Sequence, residues 1–294
     1  MKKGTFEKSS GFTQISLLAL IFIFCALLCI ILLTIQMSLT SGMKEADSLK
    51  IIIFIQDLTI FILTPLLAQY LLWKEPTIKA LQLTAPYLPV LLWGLVAIVS
   101  ASPFIDLLNT WNQSMHLPES MKGIEQWMTN TENAAEITTN KLLNTNNLGG
   151  FLTNILIIAV MAGIGEELLF RGVLQKILIN WIRNTHVGIL CAAIIFSAIH
   201  FQFFGFFPRM VLGMILGYLY VWSKNLWVPI AAHALNNALT VTFTPNTFNK
   251  GNKFIETISG TQNNFGYIIA GTAIFAFSMW KIWKYSQTQS VLNK

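Results

Sequence analysis

The stretch GEELLFRG, Gly165 to Gly172, lies inside a strongly apolar segment, roughly 150–180. It places two carboxylates side by side, with an arginine four residues after the second. On membrane-insertion scales each ionisable side chain at a helix centre costs about 2.5–3.5 kcal/mol, so three in one span need a reason. Whether this segment is a span decides the fold, and the rest of the chain answers that question.

The 294 residues are 54% hydrophobic and 11% charged, with a mean hydropathy of +0.60. Soluble domains carry about 25% charged residues. That deficit, with several long apolar runs, points to an all-α fold: a polytopic transmembrane helix bundle of about eight helices. The expected spans are roughly 13–39, 49–73, 86–108, 150–180, 187–204, 209–223, 226–244 and 265–283. The sixth is short, and the seventh is interrupted by polar residues. Very short connections between the fifth, sixth and seventh make them antiparallel neighbours. Residues 1–148 are expected to form N-terminal transmembrane helices plus a polar surface segment (109–148), and 149–294 a second helix bundle.

The net charge of +6 comes from scattered cations near segment ends. Without a dense Lys/Arg stripe, nucleic-acid binding is not expected, and contact with anionic lipid headgroups is the simpler use of these charges. Lys2, Lys3 and Lys8 precede a long apolar run, Ile15 to Leu39, which exceeds a signal-peptide core and reads as a retained first span. With the N-terminus inside, ten Lys/Arg fall on the inner side and seven on the outer, so both termini are expected in the cytoplasm; a Sec-type topology without organellar signals makes a bacterial inner membrane the expected location. Cys25, Cys29 and Cys191 all sit in apolar runs. They form neither a disulfide framework nor a thiolate site, and Cys25 and Cys29 read as small buried apolar residues. Trp73, Trp222, Trp227, Trp280, Trp283 and Tyr285 read as interface anchors.

Residues 109–148 stand apart. They are rich in Asn and Thr and contain Glu119, Glu125, Glu132 and Glu136. Ile124, Trp127 and Met128, then Leu142 and Leu143, suggest short amphipathic helices at the membrane surface. A cap over the site and a solvated linker are the two readings of this segment.

Four polar groups within the spans need an account. Glu167 and Arg171 are i and i+4 on one helix face and can pair. Glu166 points about 100° away, without that cation, and a carboxylate in this position is a candidate acid or base. Gly163 and Gly165 allow a close approach by a neighbouring helix or a substrate. His200 closes the fifth span, one turn after Phe196. His233 and Asn237 share a face of the seventh span, where they can bond a neighbouring helix or donate to a developing oxyanion. Gln56 and Asp57 on the second span, and Asp106 near the end of the third, have no assigned task. The Gly213–Gly217 pair in GMILG reads as a close helix contact.

Three motifs thus occur in order on separate helices: Glu-Glu-x-x-x-Arg (Glu166, Glu167, Arg171), Phe-x-x-x-His (Phe196, His200) and His-x-x-x-Asn (His233, Asn237). The set resembles the CAAX prenyl protease and bacteriocin-processing (CPBP) family of intramembrane endopeptidases, also called the Abi family. The motif-bearing stretch covers about 150–245. The resemblance implies that Glu166 is the catalytic glutamate and activates a water with His200. It implies that Glu167 and Arg171 organise the site, that His233 and Asn237 form the oxyanion hole, and that Phe196 shapes the pocket. The substrate it implies is a membrane-embedded or lipidated peptide or protein.

The family has long been described as metalloproteases, and two histidines with two glutamates could in principle ligate zinc. There is no His-Glu-x-x-His pair, and Arg171 lies one turn from the carboxylates, so no metal or other cofactor is expected. Two alternatives use the same residues: a non-catalytic binding or immunity protein, and a proton-coupled transporter relaying through Glu166 and Asp57. The second would be favoured by an inverted repeat, and none is evident.

Overall fold

The computed structural model describes residues 2–40, 42–145, 147–244 and 265–292. Among the described residues there is no strand, and helices occupy all eight positions at which the apolar runs place them. By length and composition, six are long and apolar enough to cross a membrane.

α1 (Gly11–Leu39) starts where the Ser10 side chain accepts the Thr13 backbone N–H, satisfying one of the free donors of a helix start. Its buried residues, Leu18, Ile21, Cys25, Cys29 and Gln36, fall on one stripe. Phe24, Leu27, Ile30 and Ile31 are exposed on the other faces, as a lipid-facing surface requires. α2 (Glu45–Leu72) widens to a π-helix over Asp57–Leu63. Pro65 cannot donate to the carbonyl one turn back and crowds it, and the wider turns relieve that conflict. A single helical turn, Thr77–Ala80, then leads into α3 (Leu88–Gln113).

α4 (Lys122–Leu143) is one amphipathic helix of 22 residues, where the sequence suggested several short ones. Leu142 and Leu143 are buried, whereas Ile124 and Trp127 stay exposed. α5 (Leu148–Ile182) begins at Asn147, whose side chain accepts the Gly150 N–H, and is the centre of the bundle. Every residue from Glu167 to Gln175 is buried. The chain turns at Arg183 (φ +58°) into α6 (Thr185–Ala198), which folds back along α5 with Gly188 against Ile179 and Phe196 against Phe170. A 3₁₀ turn, Phe203–Gly205, precedes α7 (Phe206–Ser223); α8 (Trp227–Phe243) and α9 (Phe265–Leu292) complete the bundle.

The short helix is α6, not the following one. The fifth apolar run ends its helix at Ala198, because the chain turns through Phe201 at φ +53°, and the next helical segment starts earlier than expected. α6 and α7 are antiparallel neighbours, with Gly213 on Ala193 and Gly217 on Ile189. α8 touches α7 but lies mainly on α5 and α3. α3 runs antiparallel to α9, with Tyr87 stacked on Tyr285 at 5.1 Å and Trp93 edge-on to Phe277 at 5.5 Å.

Two hydrophobic clusters hold the bundle. One joins α1, α2 and α5 to α6 through residues such as Leu72, Val173 and Phe196; the other joins α3, α7, α8 and α9 through Ile98, Leu216, Val228 and Ile282. Both draw on either side of position 148.

Candidate active site

Gly163 and Gly165 bracket the junction at which the site forms. A side-chain carbon at Gly163 would sit 3.1 Å from the Ala234 backbone nitrogen, and one at Gly165 only 2.7 Å from Phe61 Cβ. α8 and α2 therefore press on α5 from two sides immediately beside Glu166 and Glu167. The segment Ala162–Glu167 is α-helical but lies between two π-helical stretches, Ile155–Met161 and Leu168–Gln175. Such wide turns recur at functional sites because they re-aim side chains within a helix.

Glu167 is fully buried, and its Oε1 accepts from two donors: Arg171 Nη1 at 2.5 Å and His233 Nδ1 at 2.8 Å. Arg171 also donates from Nη2 to the Gly213 carbonyl at 3.0 Å. One turn further along, Gln175 repeats this by donating to the Gly217 carbonyl at 3.2 Å. The small residues of GMILG thus bring α7 close enough for two side chains of α5 to reach its backbone. The i,i+4 pair read from sequence is present, and it belongs to a network spanning α5, α7 and α8.

Glu166 stands outside that network. It makes no hydrogen bond to a described residue, retains 13% side-chain exposure, and has His233 Nε2 at 3.8 Å from its Oε2. The His233 ring therefore lies between the two glutamates, bonded to one and facing the other.

His200 lies just beyond α6. Its Nδ1 donates to the Phe196 carbonyl at 2.7 Å. This leaves Nε2 as the free nitrogen, since a carbonyl only accepts. His200 is beyond ion-pair reach of Glu166. Phe196 is the hub between the groups: its ring meets His200 at 5.1 Å, His233 at 5.8 Å and Phe170 at 5.1 Å, and Arg171 lies over it at 4.8 Å. Asn237, one turn after His233, donates to the Ile158 carbonyl at 3.3 Å and bonds none of the other motif side chains.

Sequence reasoning passed over one charged group here, Arg209, and gave a second, Asp57, a task only in the transporter alternative. Arg209, counted only as a loop cation, sits in the first turn of α7. It donates to the Gln202 carbonyl at 3.3 Å and to Gln202 Oε1 at 2.6 Å, and interacts electrostatically with Glu166, His200 and Glu132 of α4. Asp57 is buried in α2 and interacts electrostatically with Glu166. An arginine amid apolar residues at the start of a helix was the available signal for the first.

The loop carrying His200 is anchored at several points. Asn112 of α3 donates to the Phe203 carbonyl at 3.2 Å and accepts the Phe207 N–H at 2.9 Å, while Ser197 Oγ donates to the Phe206 carbonyl at 2.7 Å. α4 lies alongside, with Trp127 on Phe203 at 5.1 Å. A polar cavity of about 550 Å³, lined by Glu125, Glu132, Glu136 and Gln202, opens between α4 and the loop. An apolar hollow of about 460 Å³, lined by Ile195, Phe201, Phe203 and Phe206, lies against the same loop. Among the described residues no group of three His, Cys, Asp or Glu side chains is arranged to hold a metal ion, and Glu167 Oε1 is already engaged by arginine and histidine.

Residues 148–239 match the family described as type II CAAX prenyl endopeptidase Rce1-like, a stretch that starts with α5 and holds all seven motif residues. Over 92 residues, 30% of this chain, the chain is 34% identical to "Uncharacterized protein YpbD" of Bacillus subtilis (strain 168), covering 44% of that relative's length. No solved structure matches the chain. Over residues 148–239, about a third of its length, this chain is similar to the Rce1-like family.

Proposed function

We propose that the chain is an intramembrane endopeptidase that hydrolyses a peptide bond in a membrane-embedded or lipidated peptide or protein. The observation that carries this reading is the division between the two adjacent glutamates. Glu167 is bound by Arg171 and His233, while Glu166 is free of hydrogen bonds and keeps some exposure. A carboxylate with no hydrogen-bond partner of its own, beside a fixed Glu167–Arg171–His233 network, supports a role in taking a proton from water.

In this reading a water lies between Glu166 and His200. The free Nε2 of His200 accepts one of its hydrogen bonds and orients it. Glu166 removes a proton as the water oxygen attacks the peptide carbonyl carbon. The oxyanion formed is met by N–H donors from His233 Nε2 and Asn237 Nδ2, a use that requires His233 doubly protonated and Asn237 turned from Ile158. Glu166 then delivers its proton to the leaving nitrogen as the C–N bond breaks. Glu167 and Arg171 take no proton; they hold His233 in place. Phe196 separates the imidazoles from the apolar packing behind them and excludes water there.

The scheme uses no metal, and the engagement of Glu167 Oε1 by two N–H donors supports that. The distribution of Lys and Arg supports an orientation with both termini cytoplasmic. The test is to compare membrane peptidomes from cells carrying wild type and Glu166→Ala. A cleavage product that needs Glu166 is expected, and identical peptidomes would contradict the reading.

A further inference from the structure

The two ends of the bundle differ in packing and in charge. One end joins the segment before α1, the α2–α3 connection, the α7–α8 turn and the last part of α9. There the Gly4 N–H donates to the Tyr70 carbonyl at 2.9 Å and the Leu226 N–H to the Gln82 carbonyl at 3.0 Å. Asn225 Nδ2 donates to the Thr84 carbonyl at 2.7 Å, and Tyr87 stacks on Tyr285. The other end joins the α1–α2 connection, α4 and the loop carrying His200: Lys141 pairs with Glu45 at 2.7 Å, and Asn112 and Trp127 hold Phe203. Toward the first end the site is sealed. Glu167 to Gln175 are all buried, Gly172 lies against Leu81 and Leu226, and both of those are fully buried. Beyond them Lys176 Nζ donates to the Ala80 carbonyl. Toward the second end Glu166 keeps its partial exposure, and both cavities flank the loop that carries His200. A peptide therefore reaches Glu166 from the α4 end.

The sealed end is the basic one. The segment before α1 and the α2–α3 connection hold Lys2, Lys3, Lys8, Lys74 and Lys79, and the turns and α9 add Arg183, Lys224, Lys281 and Lys284. Among the described residues only Glu7 and Glu75 oppose them there. The α4 end has fewer cations, Lys44, Lys50, Lys122, Lys141 and Arg209, and it holds Glu119, Glu125, Glu132 and Glu136. Lysines and arginines in short connections stay on the cytoplasmic side during insertion, where anionic headgroups also attract them. The sealed end is thereby cytoplasmic and the open end is not. We propose that the site opens on the extracytoplasmic face, and that its substrate is an exported, membrane-bound peptide whose scissile bond enters beside α4 from that face. The substrate half of this rests on the peptidase reading; the direction of opening does not. Of the membrane-embedded and lipidated substrates, it selects those on the outer leaflet over proteins lipidated in the cytoplasm.

The experiment uses the full chain in bacterial spheroplasts, with Cys25, Cys29 and Cys191 replaced by alanine. The probe is a quaternary-ammonium methanethiosulfonate, which does not cross the membrane, and modification is read as loss of a later gel shift by a polyethylene-glycol maleimide. Gly123→Cys reports on α4, where an added side-chain carbon meets nothing within 4 Å. Thr288→Cys reports on an exposed position of α9 at the sealed end. Phe204→Cys reports on the wall of the polar cavity, and Glu166→Cys on the site itself. Gly123→Cys, Phe204→Cys and Glu166→Cys are expected to lose the shift in intact spheroplasts, and Thr288→Cys only after lysis. Early reaction of Thr288→Cys, or protection of Gly123→Cys or Phe204→Cys until lysis, overturns the orientation. Protection of a folded Glu166→Cys until lysis, with Phe204→Cys reactive, overturns the direction of opening; where Glu166→Cys does not fold, Phe204→Cys decides. None of this requires cleavage. If labelling fails while a Glu166-dependent product exists, the opening is wrong and the peptidase reading stands. If labelling succeeds and no such product exists, the peptidase reading fails and the substrate class with it. Glu166-dependent products cut within cytoplasmic segments would also overturn the substrate class.

Discussion

His233 donates to Glu167 over 2.8 Å, and that bond turns the opposite nitrogen of the same ring toward Glu166, 3.8 Å away. A residue of α8 is thereby held by one glutamate of α5 and presented to the other. The adjacency of two glutamates in the sequence thus becomes a difference in role: one orients the histidine, and the other is left free. The following predictions test parts of that arrangement.

Arg171→Ala leaves Glu167 as a buried charge with no cation bonded to it. Loss of one partner of a buried pair costs about 3–5 kcal/mol, so a large drop in thermal stability in detergent is expected. Arg171→Lys restores a charge but not the planar fork that also reaches Gly213. It should recover only part of the loss.

Gly217→Ala introduces a carbon 2.7 Å from Gln175 Oε1 and 2.8 Å from Ile189 Cγ2. Overpacking of this kind costs about 1–3 kcal/mol. Denaturation should locate the effect in stability. Unchanged stability would show that α6 and α7 can separate freely.

How much of this was legible in the sequence follows from the range of each interaction. The apolar runs located the helices because bilayer crossing is a property of composition and length. The Glu167–Arg171 pair was legible because i,i+4 contacts are local. The end of α6 was not, since residues 199–202 include apolar side chains and only the turn at Phe201 marks the break. The His233–Glu167 bond joins residues 66 apart, and the clustering of Arg209 and Asp57 near Glu166 depends on how α7 and α2 pack. No local pattern reports these. The polar segment read as short helices is one helix, α4, whose only buried residues, Leu142 and Leu143, lie at its end.

Asn112→Ala removes both anchors between α3 and the loop that follows His200. Loss of such buried bonds costs about 1–3 kcal/mol each. Faster hydrogen exchange across residues 199–207 is expected, with a fall in cleavage of about tenfold from misplacement of His200. Exchange unchanged from wild type would show that the loop is held elsewhere.

Asn237→Ala should lower kcat by about 10²–10³-fold with KM little changed, the signature of a donor used only in the transition state. The substrate for this assay is the one identified from the membrane peptidome. A rise in KM with kcat unchanged would instead assign Asn237 to substrate binding.

The central claim is that Glu166, and not its neighbour, performs the chemistry. The direct measurement is cleavage of that substrate by purified wild type and by Glu166→Gln, with matched thermal stability as the control for folding. The account predicts that Glu166→Gln folds like wild type and does not cleave. Equal cleavage by the two proteins would contradict it.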